Sequence, residues 1–149
     1  LPWLSSTGLS LVSLILVDVW HWTPFMMILL LAGLQSLPDE VVEAAYVDGA
    51  TNWEVFRQVT FPMLLPTSLA AILLRCLEAS KIVDEIFIIT GGGPGTSSES
   101  LTLYAYYAGL QSFDLAYGAT IATGMFVGIL LVTVIFLWGT KKLQTTELW

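Results

Sequence analysis

Five charged side chains sit in an otherwise apolar run: Arg75, Glu78, Lys81, Asp84 and Glu85. An unpaired charge at the centre of a bilayer costs at least ~2.5 kcal/mol, so these groups must face one another, a partner or a wet cavity. On a helix turning about 100° per residue, Glu78, Lys81 and Glu85 lie within about 60° of one another. Glu78–Lys81 is then an i,i+3 pair and Lys81–Glu85 an i,i+4 pair, with Arg75 one step round. Such a face suits the lining of a polar path. It equally suits an ion-pair network that holds a bundle together, or a proton relay through Glu78, Asp84 and Glu85.

A second constellation is Asp18, His21, Trp22 and Phe25, spaced i, i+3, i+4, i+7 and therefore on one helical face. Aromatic faces stack on the apolar faces of sugar rings while polar neighbours bond the hydroxyls; packing against neighbouring helices is the alternative use. A third is Glu43-Ala44-Ala45 followed by Asp48-Gly49. The two alanines permit close approach of another surface, and Gly49 can take the left-handed conformation that ends a helix. The run Gly91-Gly92-Gly93-Pro94-Gly95-Thr96 is not a phosphate loop, because that motif needs a Gly-Lys-Ser/Thr whose Lys reaches the phosphates, and no Lys occurs between 82 and 140. His21 is the only histidine and Cys76 the only cysteine. Hence there is no internal disulfide, thiolate cluster or histidine metal site, and no catalytic group is assigned.

The elements that must position these residues follow from composition. Of 149 residues, 56% are hydrophobic and 11% charged, against roughly 45–50% and 25% in soluble domains. Disordered chains are excluded by the same imbalance, leaving an integral membrane protein. The net charge of −7, with five Lys and Arg in all, leaves no basic stripe for nucleic acid. At about 20 apolar residues per crossing, three spans are expected, at about 8–34, 62–89 and 116–138. The third is free of charge and holds a Gly124-to-Gly128 GxxxG, read as helix packing.

Outside the spans, Arg57 lies in the first connection and Lys141 and Lys142 follow the third span, whereas the start and the second connection carry none. The positive-inside rule then places residues 36–61 and the C-terminus in the cytoplasm. The start of the chain and residues 90–117 face outward. The cytoplasmic segment reads as two helices: one opens after Pro38 with Asp39 and Glu40 in its first turn and closes at Gly49. The next opens on the capping box Thr51-Asn52-Trp53-Glu54 and stops near Pro62.

Glu43-Ala44-Ala45, three residues, Gly49, nine residues, then Val59-Thr60-Phe61-Pro62 resembles the signature of the membrane subunits of binding-protein-dependent ABC importers. Trp20, Pro24-Phe25-Met26-Met27 and Leu31-Ala32-Gly33-Leu34-Gln35 look like the preceding helix of carbohydrate permeases. Thr90-Gly91-Gly92-Gly93-Pro94-Gly95, with Phe113-Asp114 and Tyr117-Gly118-Ala119, looks like the maltose- and glycerol-phosphate-type first permease. The resemblance implies an all-α integral membrane fold of six or more spans, of which residues 1–149 form the C-terminal half, a reading that also accounts for the absent initiator Met.

The resemblance also implies a function. The chain would be a permease subunit of an ATP-driven sugar importer in a bacterial or archaeal cytoplasmic membrane, without enzymatic activity or a cofactor of its own. Its partners would be a second permease, two ATPase subunits holding ATP and Mg, and an external solute-binding protein. Glu43, Ala44, Ala45, Asp48 and Gly49 would couple to the ATPase. His21, Trp22, Phe25, Glu78, Ala79, Lys81 and Ile82 would line the substrate path. A secondary transporter or channel fragment with its own charge relay is the alternative.

Overall fold

A computed structural model describes residues 3–146, with side chains through Thr140. Lys141 and Lys142, on which the expected orientation partly rests, have side chains outside the described part. The regular elements among the described residues are helices: α1 (Thr7–Gln35), α2 (Asp39–Val47), α3 (Asn52–Val55), α4 (Phe61–Ala79), α5 (Asp84–Ile89), α6 (Leu101–Tyr106) and α7 (Leu115–Thr146). Single π turns follow α3, over Phe56–Thr60, and α6, over Tyr107–Gln111.

Three stretches are long and apolar enough to cross a membrane: Thr7–Gln35, Asn52–Ala79 and Leu115–Thr140. The shortest has 26 residues, about 39 Å at 1.5 Å per residue, which exceeds the ~30 Å hydrocarbon core. Their side chains are mostly uncovered; Trp20, Phe126, Ile135 and Trp138 are all exposed. A helix this apolar in water would be buried on every side, so this exposed surface is suited to lipid and to other helices.

The second span differs from the expected 62–89 at both ends. The helix opening at Thr51 does not stop near Pro62 but runs on through the π turn into α4. Proline lacks an N–H and its ring clashes with the carbonyl four residues back. A widened π turn lies immediately before Pro62, and such turns mark irregular places in helices; Pro24 and Pro66 are likewise carried inside α1 and α4. At the other end α4 stops at Ala79, and α5 begins only at Asp84. Lys81, Asp84 and Glu85 therefore do not continue the face that carries Glu78.

The chain forms two compact units, one of residues 1–21 with 75–149, the other Trp22–Leu74. In the first, Leu14, Ile86 and the fully buried Leu103 form the core, with Ile82, Val83, Ile89 and Tyr107 against it. There α6 and its π turn pack on α7 through two glycines: a Cβ on Gly118 would lie 2.6 Å from the Gly109 Cα. In the second unit α1 meets α4 at Gly33, where a Cβ would lie 2.6 Å from the Thr67 Cγ2 and 3.1 Å from the Leu64 Cδ1. Gly124 and Gly128, the pair that the sequence singles out for packing, face open space within the described residues.

Gly33→Val is expected to destabilise the protein by about 1–3 kcal/mol, the range for overpacking a close contact. Thermal unfolding of the detergent-purified protein checks this, with Gly8→Ala, which meets nothing, expected not to lower the midpoint.

Candidate functional site

Two surfaces gather residues with chemistry, one in each unit. In the first unit a cavity of about 250 Å³ is lined by Leu11, Leu14, Ile15, Asp18, Arg75, Ala79, Ile82, Ile86 and Ser98. Its walls are apolar except for Asp18, Arg75 and Ser98. Asp18 and Arg75 form an ion pair between α1 and α4, with side chains only 17% and 24% exposed. The second carboxylate oxygen of Asp18 is buried and has no hydrogen-bond partner among the described residues. A carboxylate beside a guanidinium, one oxygen still able to accept, is an arrangement that bonds hydroxyl groups while the apolar wall covers ring carbons.

The remaining charges pair differently from the expected single face. Lys81 Nζ meets Glu78 Oε1 at 2.9 Å, the i,i+3 pair. Glu85 does not receive Lys81; it meets His21 Nδ1 at 2.8 Å, joining α5 to α1. The reason is the break after Ala79, which turns α5 away from the α4 register. Of the expected path residues, Ala79 and Ile82 line the cavity, whereas Glu78 and Lys81 do not. Trp22 and Phe25 lie in the other unit as an edge-to-face pair with centroids 5.7 Å apart. Sequence reasoning missed the pairing of Asp18 with Arg75 and the place of Ser98; the signal for the first was opposite charge on two apolar helices.

Ser98 reaches the cavity wall through a compact knot. Its hydroxyl donates to the Gly93 carbonyl at 2.7 Å and meets the Thr90 hydroxyl at 2.9 Å. The Gly92 N–H donates to Thr90 Oγ1 at 3.2 Å, and Gly92 is held at φ +89, a conformation that favours glycine. Tyr107 donates to the Gly91 carbonyl at 3.0 Å, and Ser100 to the Ile82 carbonyl at 2.8 Å. The Gly93–Pro94 bond is cis. The glycine-rich run is thus tied back by hydroxyls onto its own carbonyls and N–H groups.

The second surface is the hairpin of α2 and α3. No residue of α2 is buried, and Glu43, Ala44, Asp48 and Gly49 are all exposed. The helix ends in a Schellman motif: Ala50 N–H donates to the Ala45 carbonyl at 3.1 Å and Gly49 N–H to the Tyr46 carbonyl at 3.0 Å. Gly49 has φ +86, which only glycine adopts at little cost. The capping box of Thr51 and Glu54 restarts the helix at once. A short, exposed, acidic helix is therefore held by a sharp bend at the end of a continuous helix running to Ala79.

A model of the family described as the binding-protein-dependent transport system inner membrane component matches residues 1–143. The chain is 39% identical over 136 residues to the trehalose/maltose transport system permease protein MalF of Thermococcus litoralis, covering 91% of this chain and 45% of that protein. It is 36% identical over 135 residues to the sulfoquinovosyl glycerol transport system permease protein SmoG of Agrobacterium fabrum, covering 91% and 44%. It is 37% identical over 128 residues to the trehalose transport system permease protein SugA of Mycobacterium tuberculosis, covering 86% and 41%. The chain spans less than half the length of each of these relatives.

Arg75→Met alone is expected to cost about 3–5 kcal/mol by stranding the Asp18 carboxylate, and Asp18→Leu alone to destabilise as well, whereas Asp18→Leu with Arg75→Met should cost far less. A thermal-unfolding double-mutant cycle measures the difference; equal losses in single and double variants would contradict the pairing.

Proposed function

Because this chain belongs to the family of binding-protein-dependent transport system inner membrane components, we propose that it forms the C-terminal part of a sugar permease subunit in an ATP-driven importer. The observation that carries this reading is the Asp18–Arg75 pair in an otherwise apolar cavity at the depth of two candidate spans. The solute class follows from that chemistry and from the sugars and sugar derivatives in the relatives' names. At about 250 Å³ the cavity is smaller than the ~300–1,000 Å³ of sites that enclose a drug-sized ligand. It supplies one wall of a path completed by the missing spans and a second permease. Ala79 and Ile82 touch the solute in this reading, with His21–Glu85 and Glu78–Lys81 keeping nearby charges paired.

Coupling is assigned to the α2 hairpin. Glu43, Ala44, Ala45, Asp48 and Gly49 dock on a separate ATPase subunit, Glu43 facing a basic group there. The hairpin leads without an intervening loop into the helical stretch Asn52–Ala79, which ties it by sequence to a candidate span. Two permeases, two ATPases and an external binding protein complete the assembly. ATP and Mg stay with the ATPases, the hairpin lies in the cytoplasm, and the start of the chain faces outward. This chain itself hydrolyses nothing.

Glu43→Ala and Gly49→Pro, introduced into the full-length protein, are expected to abolish substrate-stimulated ATP hydrolysis without loss of membrane insertion. Normal stimulation in both would overturn the coupling assignment, and uptake that is uncoupler-sensitive and needs no ATPase subunit would favour a secondary transporter. Ala79→Trp, which fills the cavity, is expected to block sugar uptake while the complex still assembles; undiminished uptake would remove the cavity from the path.

A further inference from the structure

We infer that the hairpin tip joining α6 to α7 is a lipid-binding surface, laid in the bilayer interface at the N-terminal end of α7. From Leu101 to Phe113 the chain carries no Asp, Glu, Lys, Arg or His. The segment exposes large apolar side chains, Leu101 at 57%, Leu110 at 59%, Phe113 at 85% and Leu115 at 64%, beside the polar but uncharged Gln111 and Ser112. This patch is continuous with the exposed surface of α7, the most apolar of the three candidate spans. An uncharged, tyrosine-bearing face beside a candidate span matches the chemistry of the bilayer interface, and lipid is the occupant to which we commit.

The tip is built to present the patch. Phe113 has φ +58, an uncommon conformation for an aromatic residue. It is pinned from both sides: Ser112 N–H donates to the Tyr107 carbonyl at 2.8 Å and Asp114 N–H to the Ala108 carbonyl at 3.1 Å. Asp114, the first charge after the segment, uses Oδ1 to accept the Tyr117 N–H at 3.0 Å and so caps α7. The Gly109–Gly118 contact holds the hairpin against the span, which sets its depth. Tyrosines line the same segment; the Tyr104 and Tyr117 hydroxyls meet at 3.4 Å, and that bond raises the Tyr104 phenol above its usual value. Amphipathic rings of this type concentrate where bilayer meets water, and an uncharged apolar face on a short helix binds there by burying area in the headgroup–acyl boundary.

The test uses full-length permease, free of cysteine, in phosphatidylethanolamine–phosphatidylglycerol nanodiscs within the assembled transporter. Single nitroxide labels at Leu110 and Phe113 are compared with labels at Thr96, exposed on the glycine-rich run, and Phe126, in α7. The ratio of accessibility to oxygen over a water-soluble nickel chelate is expected to be several-fold higher at Leu110 and Phe113 than at Thr96, and close to that at Phe126. A ratio equal to that at Thr96 places the tip in water, and exclusion of both reagents places it against protein; either overturns the inference. If labelling disturbs the fold, a membrane-soluble diazirine applied to the unmodified protein is expected to tag the peptide spanning 101–113, and an untagged peptide overturns it too.

Discussion

Charge in an apolar solvent must be neutralised locally, and in this chain that requirement selects which helices touch. The Asp18–Arg75 pair joins α1 to α4, and His21–Glu85 joins α1 to α5. Each charged group costs several kcal/mol of desolvation, which only a close, well-directed partner offsets. Helix association in lipid lacks the hydrophobic drive available in water. Polar contacts and small-residue approaches, such as Gly33 on Thr67 and Gly109 on Gly118, therefore decide the arrangement. The same pair that holds the helices leaves one Asp18 oxygen open toward hydroxyl chemistry.

Backbone hydrogen bonds impose the second demand, strictest where lipid offers no water to satisfy a broken one and present also at the turns between spans. The protein meets it in three local ways. A π turn precedes Pro62 within a continuous helix. A Schellman motif and a capping box allow two helices to meet at Gly49 with their end groups bonded. Between α5 and α6, the hydroxyls of Thr90 and Ser98 bond the Gly92 N–H and the Gly93 carbonyl, and Ser100 bonds the Ile82 carbonyl ahead of α5. That rigidity is what brings Ser98, remote in sequence from Asp18, to the wall of the same cavity.

Local patterns were legible in the sequence wherever the cause is local. Span number follows from apolar length, the Thr51–Glu54 box from a three-residue spacing, and the left-handed Gly49 from the helix stop it must make. Less legible were the ends of the second span. Pro62 reads as a helix stop because proline usually is one, and the π turn before it depends on how the chain there winds. The face of Glu78, Lys81 and Glu85 was drawn on a helix assumed to continue, and the break after Ala79 removes Glu85 from it.

By itself, then, the sequence determined the class of solvent, the all-helical architecture, the exposed acidic hairpin and the stock of charges that must be paired, since each depends on composition or on spacing within one helix. Only the tertiary structure decided which charges meet and which glycines approach. Arg75 is 57 positions from Asp18, and helical periodicity carries no information about partners on another helix. The GxxxG of α7 shows the same limit from the other side: its spacing permits close packing, yet the described residues place nothing against it. The contact is made by Gly109 and Gly118, which share no motif and meet only because the chain turns back at Phe113.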